Sequence, residues 1–175
     1  KIVLAGHTNP VDVGEVNGKT FLNNSILGLY PIYRYLRAAE ESRGWGRRMS
    51  FLLGVAKIFH RFPSLKVRMF VNGQEIERKT PYILIANNEH AMEGYHLGSR
   101  GSIAEGKLYI YVMKRRDRLG LIQLLLRLLF GRFRGRNDFE MFSAEEAWVE
   151  TKGKRIGVAL DGEVMTLESP LHYRV

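Results

Sequence analysis

Three Xaa-Gly pairs stand between short runs of alternating apolar and polar residues, and they constrain the fold more than any other feature of the sequence. The pairs are Asn17-Gly18, Asn72-Gly73 and Asp161-Gly162. Two-residue hairpin turns of the favoured types need positive φ angles, which Gly, Asn and Asp adopt most readily. Each pair therefore predicts a tight hairpin, and the three together indicate antiparallel sheet.

The remaining pattern extends this prediction to most of the chain. A continuous apolar run at Tyr82–Ala86 is typical of a buried central strand. Besides it and the carboxyl-terminal pair around Asp161-Gly162, the predicted strands are Val11–Val16, Lys19–Asn23, Leu65–Val71, Glu75–Lys79, Lys107–Met113, Glu140–Phe142 and Ala147–Glu150. The predicted helices are Pro31–Ser42, Met49–Phe62 and Arg118–Arg132. We expect one domain over residues 1–175, mainly β, folded as a two-layer antiparallel β-sandwich with peripheral helices.

Composition narrows the class of partner. The hydrophobic fraction of 45% over 175 residues suffices for a real core, and the absence of cysteine excludes disulfides and thiolate metal sites. No apolar run approaches the ~20 residues of a membrane-spanning helix. The net charge of +9 favours an anionic partner, such as nucleic acid, a phosphorylated cofactor or an anionic lipid surface, although it also serves ordinary solubility. The first residues, KIVLAGHTNP, lack both Met and a signal-peptide core, and we expect them to lie within a longer protein.

Basic residues flank the most apolar predicted helix, Arg118–Arg132. Lys114, Arg115 and Arg116 precede it, and Arg134 and Arg136 follow it. An interfacial membrane helix has this pattern, and so does a core helix with a solvated rim. Its face is leucine rather than basic, which is unlike a DNA-recognition helix, and we predict no nucleic-acid partner.

Two groups of residues could carry chemistry. Asp161 and Glu163 flank one turn, where the simplest interpretation is a solvated hairpin. In the loop after Tyr82–Ala86, His90 and His96 with Glu89 and Glu93 have no established zinc spacing. Glu105 before Gly106 is either an ordinary turn residue or, with nearby backbone carbonyls, a ligand for a hard cation such as Mg²⁺. The sequence contains no usual glycine-rich phosphate loop and no nucleophile motif.

Four separated segments resemble the carboxyl-terminal half of bacterial diacylglycerol-kinase-like lipid kinases, in the same order. They read VDVGEVNGKTFLNNSILGLYP, TPYILIANNEHAMEGYHLGSR, AEGKLYIYVM and VALDGEVMTLESPLHYR. The resemblance implies the second domain of a lipid-kinase fold, a β-sandwich that closes one side of an ATP cleft. The Gly-Gly-Asp-Gly-Thr nucleotide loop of the family's amino-terminal domain is not among these 175 residues.

The resemblance also implies roles for individual residues. Glu163 matches the position of the proton acceptor for the lipid hydroxyl, and Asp161 matches its partner; which of the two is the base stays open. Glu105 matches the carboxylate ligand of a structural Mg²⁺ site completed by the carbonyls of Ser102 and Lys107. Here Glu replaces the usual Asp, and Ala104 replaces a second acidic residue. The implied cofactors are ATP and Mg²⁺.

We therefore expect part of an ATP-dependent lipid kinase acting on a diacylglycerol or sphingoid-like hydroxyl, as in phospholipid biosynthesis. The expected partners are the lipid substrate, an anionic membrane surface and the kinase's own amino-terminal domain, with a homodimer left open. The expected location is cytoplasmic with peripheral membrane association. The alternative function is a non-enzymatic basic domain that binds anionic membrane or nucleic acid.

Overall fold

A computed structural model describes residues 10–44, 46–62, 64–89, 104–114, 117, 119, 120, 123 and 138–175. In chain order, its elements are β1 (Gly14–Val16), β2 (Lys19–Phe21), β3 (Asn24–Gly28), α1 (Leu29–Glu41), α2 (Arg47–Arg61), β4 (Leu65–Val71), β5 (Gln74–Thr80), β6 (Tyr82–Asn87), β7 (Leu108–Met113), β8 (Phe139–Ala144), β9 (Glu146–Thr151), β10 (Arg155–Leu160), β11 (Glu163–Glu168) and β12 (Leu171–Arg174).

The strands form two six-stranded antiparallel sheets, and the predicted β-sandwich is confirmed. The first sheet has the order β2-β1-β12-β9-β4-β5, and the second has the order β11-β10-β3-β6-β7-β8. The tight turns pair β1 with β2, β4 with β5 and β10 with β11. In contrast, β1 with β12 and β3 with β10 pair over long sequence separations. The two ends of the described chain therefore lie side by side in both sheets.

The core lies between the two sheets. Val16, Met69 and Tyr173 of the first sheet are fully buried, as are Ile85 and Val158 of the second. Along β10 and β4 every second residue points inward, as the period of a strand requires. Burial of this apolar surface is the main source of stability for the sandwich.

The two helices cover the outer face of the second sheet. A separate cluster there includes Leu29, Tyr111 and Phe139, with Tyr33 and Phe59 of the helices packed against it. Helix α1 begins directly after Gly28, whose φ of 93° and closeness to Pro81 both favour glycine: a Cβ would lie 2.2 Å from the Pro81 carbonyl oxygen. The molecule thus has three layers, and β6 and β7 are covered on both faces.

The predicted turns are confirmed, whereas several element bounds differ. Asn17, Asn72 and Asp161 have φ angles of 46°, 51° and 46°, and each is followed by a glycine with positive φ. The predicted strand Val11–Val16 is shorter, because only residues 14–16 pair with a neighbour. Strand β3 lies in the middle of the second sheet and was not predicted, since its NSILG sequence is short and directly precedes a helix. The predicted basic helix Arg118–Arg132 lies outside the described residues except for 119, 120 and 123.

Candidate active site

The Asp-Gly-Glu turn joins β10 to β11 at one end of the second sheet. Leu160 and Glu163 are directly opposite each other in the antiparallel register, so Asp161 and Gly162 form a two-residue loop. Their φ angles of 46° and 91° are both positive, as a type I′ turn requires. The local sequence therefore dictates the turn, and the turn presents Glu163 as the first residue of an edge strand.

The Asp161 carboxylate does not project freely into solvent. Its Oδ2 accepts a hydrogen bond from the Leu22 backbone N–H at 2.7 Å, and its Oδ1 accepts from Asn23 and Asn24 at 2.8 and 2.9 Å. The Asp161 N–H in turn donates to the Asn24 carbonyl at 2.9 Å. Charge-assisted bonds of this kind are stronger than neutral ones. Residues 22 and 23 form the β2–β3 turn, which connects β2 to β3. The hydrogen bonds of Asp161 therefore hold its own turn against the β2–β3 turn.

Glu163 is exposed like Asp161, but among the described residues its side chain has no comparable anchor. Its side chain is exposed, and it makes no hydrogen bond or ion pair with any residue of the described part of the chain. The hydroxyl of Tyr30 in α1 lies 4.0 Å from the position that a Cβ on Gly162 would occupy. A carboxylate that is exposed, unpaired and held on a fixed turn can accept a proton from a docked hydroxyl group.

Three polar residues that sequence reasoning did not single out stand at the same end of the sheet. Asn87 is 1% exposed, and its Nδ2 donates to the carbonyls of Asp12 at 2.6 Å and Leu22 at 3.1 Å. The Asp12 carboxylate accepts from the Gly106 N–H at 2.6 Å. Asn88 is fully buried, has a φ of 68°, and its Oδ1 accepts from the Glu105 N–H at 2.8 Å. The signal available in the sequence was a pair of asparagines directly after an apolar strand.

The amino-acid sequence is similar to a known protein family over most of its length. The model of the family described as "YegS C-terminal NAD kinase beta sandwich-like domain" matches residues 34–175. This chain belongs to that family. The matched range contains both sheets' long strands and the whole Asp-Gly-Glu turn.

Solved structures from Bacillus anthracis strain Sterne have the same fold as this member of the YegS carboxyl-terminal domain family. One described as a "putative diacylglycerol kinase" is 24% identical with a TM-score of 0.66, covering 99% of this chain and 55% of that chain. A second of that description is 22% identical with a TM-score of 0.63, covering 99% and 56%. A diacylglycerol kinase from the same strain is 19% identical with a TM-score of 0.57, covering 99% and 53%. This chain therefore spans little more than half the length of each of them.

The Glu105 turn lies at the same end of the sheet as the Asp-Gly-Glu turn but not beside it. It precedes β7, which is three strands away from β10, or about 14 Å at the usual strand spacing. Asp12, Asn87 and the β2–β3 turn lie between the two turns and connect them through hydrogen bonds. The structure thus brings Asp161 and Glu163 together and places Glu105 apart from them.

Two of the oxygen atoms proposed as Mg²⁺ ligands at the Glu105 turn already accept hydrogen bonds from the protein. Glu105 Oε2 accepts from the Tyr109 hydroxyl at 2.9 Å, and the Lys107 carbonyl accepts from the Asn88 N–H at 3.0 Å. Ser102, the third proposed ligand, lies outside the described residues, as do His90, Glu93 and His96. No cluster of three acidic or histidine side chains that could hold a metal occurs in the described part of the chain. These residues fit a hydrogen-bonded turn, and the metal site there stays a prediction.

Electrostatics at the Glu105 turn favour a neutral tyrosine. Burial, and after it the hydrogen bond to the Glu105 carboxylate, raises the pKa of Tyr109 to about 12. Tyr109 therefore remains a hydrogen-bond donor to Glu105 at neutral pH.

Among the helices of the described residues, none is long and apolar enough to cross a membrane.

Proposed function

We propose that this chain is the carboxyl-terminal domain of an ATP-dependent lipid kinase that phosphorylates a lipid hydroxyl of the diacylglycerol or sphingoid type, and that Glu163 is its proton acceptor. The observation that carries the proposal is the contrast within the Asp-Gly-Glu turn. Both residues are exposed, but the Asp161 carboxylate is occupied by three backbone N–H groups, whereas the Glu163 side chain is unpaired among the described residues. The family and the kinase descriptions of the similar structures support it.

The proposed step is phosphoryl transfer to an alcohol. The lipid oxygen forms a bond to the γ-phosphorus of ATP, the bond from that phosphorus to the β–γ bridging oxygen breaks, and ADP leaves. The hydroxyl proton passes to the Glu163 carboxylate, which makes the oxygen a better nucleophile as the new bond forms. Mg²⁺ bound with the nucleotide would offset the charge on the transferring group.

In this proposal the two carboxylates have different tasks. Asp161 holds the turn against the β2–β3 turn and so fixes where Glu163 stands, which favours a reactive geometry. Glu163 performs the proton transfer. Sequence reasoning left the choice of base open, because both residues lie within one turn; the hydrogen bonds of Asp161 support Glu163.

The test is a kinase assay of the full-length protein with γ-labelled ATP and a panel of lipids that includes diacylglycerol, monoacylglycerol and a sphingoid base. Glu163→Gln keeps the size of the side chain but removes the proton acceptor. We expect kcat for the accepted lipid to fall by about 10²–10⁴-fold, while the melting temperature stays unchanged.

A matched control lies in the other sheet. Gln74 is the first residue of β5 after Asn72-Gly73, as Glu163 is the first residue of β11 after Asp161-Gly162, and both are exposed. Gln74→Ala should leave kcat within about twofold of wild type, because surface changes away from a site have small effects. Wild-type kcat in Glu163→Gln, or the absence of lipid phosphorylation by the full-length protein, would refute the proposal.

One observation favours the alternative of a basic binding domain. Lys66 and Lys79 stand directly opposite each other across β4 and β5, and Lys152 lies beside them in one surface groove. Like charges in that position repel, and none of the three pairs with an acid in the described part of the chain. Liposome binding that depends on anionic lipid and falls with salt, in a full-length protein without kinase activity, would favour this alternative.

A further inference from the structure

Asn87 is a buried residue at the end of the second sheet that carries the Asp-Gly-Glu turn and the Glu105 turn. Both hydrogens of its Nδ2 are used, one on the Asp12 carbonyl at 2.6 Å and one on the Leu22 carbonyl at 3.1 Å. Its Oδ1 accepts from the Asn88 Nδ2 at 3.4 Å. A side-chain amide with every polar atom engaged holds its neighbours in one arrangement, since breaking any bond leaves a buried group unpaired.

The β2–β3 turn is held from two sides. On one side, the Asn87 backbone N–H donates to the Asn23 carbonyl at 3.0 Å, in addition to the side-chain bond to Leu22. On the other side, the N–H groups of Leu22 and Asn23 donate to the Asp161 carboxylate. The carbonyls of these two residues thus point to Asn87 and their amides to Asp161, so a shift of Asn87 moves the groups to which Asp161 is bound.

The same residue connects to the Glu105 turn. The Asp12 backbone accepts from Asn87, and the Asp12 side chain accepts from the Gly106 N–H at 2.6 Å. A second route passes through Asn88, whose Oδ1 accepts from the Glu105 N–H. Asn87 is therefore bonded to the β2–β3 turn, to Asp12 and to Asn88.

We propose that Asn87 is a positioning residue of the active site: through the β2–β3 turn it fixes Asp161 and thereby the place of the Glu163 carboxylate. This inference rests on the proposed role of Glu163 as proton acceptor. Asn87 acts through other residues and not on the substrate. We therefore expect its effect on kcat, because a displaced base loses transition-state assistance.

Asn17, which is exposed whereas Asn87 is buried, provides a control with the same bonding pattern at the far end of the sandwich. Its Nδ2 also donates to two backbone carbonyls, those of Glu168 at 2.9 Å and Pro170 at 3.2 Å. It ties the turn after β1 to the end of β11 that is opposite to Glu163. Asn→Asp at either position replaces an N–H donor by a carboxylate oxygen facing two carbonyls, at nearly constant volume.

The experiment compares Asn87→Asp and Asn17→Asp in the full-length protein, below the melting transition of both variants. We expect Asn87→Asp to lower kcat by roughly 10- to 100-fold with KM for ATP within about twofold, and Asn17→Asp to leave kcat within about twofold. Hydrogen exchange measured by mass spectrometry should rise at residues 22–24 and 161–163 in Asn87→Asp only. If Asn87→Asp does not fold, Asn87→Ser, which removes the reach of the donor without a buried charge, takes its place.

A double variant separates positioning from a general loss of structure. In a Glu163→Gln background, Asn87→Asp should lower the residual rate by less than about threefold, because a group that acts only through Glu163 has nothing left to position. An equal fold-loss in both backgrounds would overturn the inference, as would a kcat for Asn87→Asp no lower than that for Asn17→Asp. The kcat of the Glu163→Gln single variant tests the proposed function by itself. A wrong assignment of Glu163 can therefore be told apart from a wrong assignment of Asn87.

Discussion

Two hairpin turns of this molecule share a backbone conformation and differ in what their side chains do. Asp161-Gly162 and Asn72-Gly73 are both two-residue loops, with φ angles of 46° and 91° in the first and 51° and 76° in the second. Each follows a strand with buried alternate residues. A hairpin signal in the sequence therefore describes both turns equally well and does not tell which one is functional.

The difference lies in the partner of the first turn residue. Asn72 donates one hydrogen bond, from Nδ2 to the Ser143 carbonyl at 2.8 Å. Asp161 accepts three, all from consecutive backbone amides of residues 22 to 24. A carboxylate has two acceptor oxygens and can gather more N–H donors than the single oxygen of an amide. Of these two turns, only the one at Asp161 is held by backbone amides and followed by an exposed acid that is unpaired among the described residues.

Among the substitutions that test the contrast between the two turns, removing the charge of Asp161 should have the largest effect on stability and activity. In Asp161→Asn, an amide nitrogen or a neutral oxygen faces the three N–H groups, and the free energy of unfolding should fall by about 1–3 kcal/mol. We expect kcat of the full-length enzyme to fall by roughly 10- to 100-fold because Glu163 moves. Denaturant unfolding and steady-state kinetics measure the two effects.

The response to Mg²⁺ distinguishes anchoring from metal support. If Asp161 is an anchor, the loss of kcat in Asp161→Asn persists at every Mg²⁺ concentration. Recovery of the rate at high Mg²⁺ would instead assign Asp161 to the metal, and unchanged stability would show that its three hydrogen bonds do not hold the turn.

Replacing the two turn glycines by alanine should have an effect on activity smaller than that of Asp161→Asn, and it compares the two turns directly. Gly162 and Gly73 both have positive φ, and a Cβ at either position meets no atom closer than 4.0 Å. Backbone strain alone should then cost each variant about 1–2 kcal/mol of unfolding free energy. Only Gly162→Ala should also lower kcat, by severalfold, since Glu163 is the next residue; equal kcat values in the two variants would contradict this.

The fold was largely predictable from the sequence because its signals are local. Alternation over Leu65–Val71 and the Asn-Gly pair after it determine a hairpin without help from distant residues. Strand β3 was missed for the opposite reason. Its five residues are recognisable as a strand only by the partners on both sides, Val158–Leu160 and Tyr82–Ala86, which are distant in the sequence.

The candidate site also has parts that could be predicted from local sequence and parts that could not. The turn carrying Asp161 and Glu163 was found from local sequence and family resemblance together. The hydrogen bonds that give Asp161 its task join residues separated by 137 to 139 positions, and no spacing rule relates them. Asn87 and Asp12 were missed likewise, since their contacts depend on strands from different parts of the chain meeting at one end of the sheet.

The smallest effect is expected from making the second turn resemble the first. Asn72→Asp converts Asn72-Gly73 into Asp-Gly, a pair equally suited to the turn, at the cost of one exposed hydrogen bond to Ser143. The unfolding free energy should change by no more than about 0.5 kcal/mol, and kcat should equal that of wild type. Denaturant unfolding and kinetics of this variant, measured beside Asp161→Asn, check both values. An Asp-Gly pair without backbone donors to bind should remain an ordinary turn; a change in kcat here would mean that the hairpin at residues 72 and 73 also contributes to the site, and the contrast between the two turns would fail.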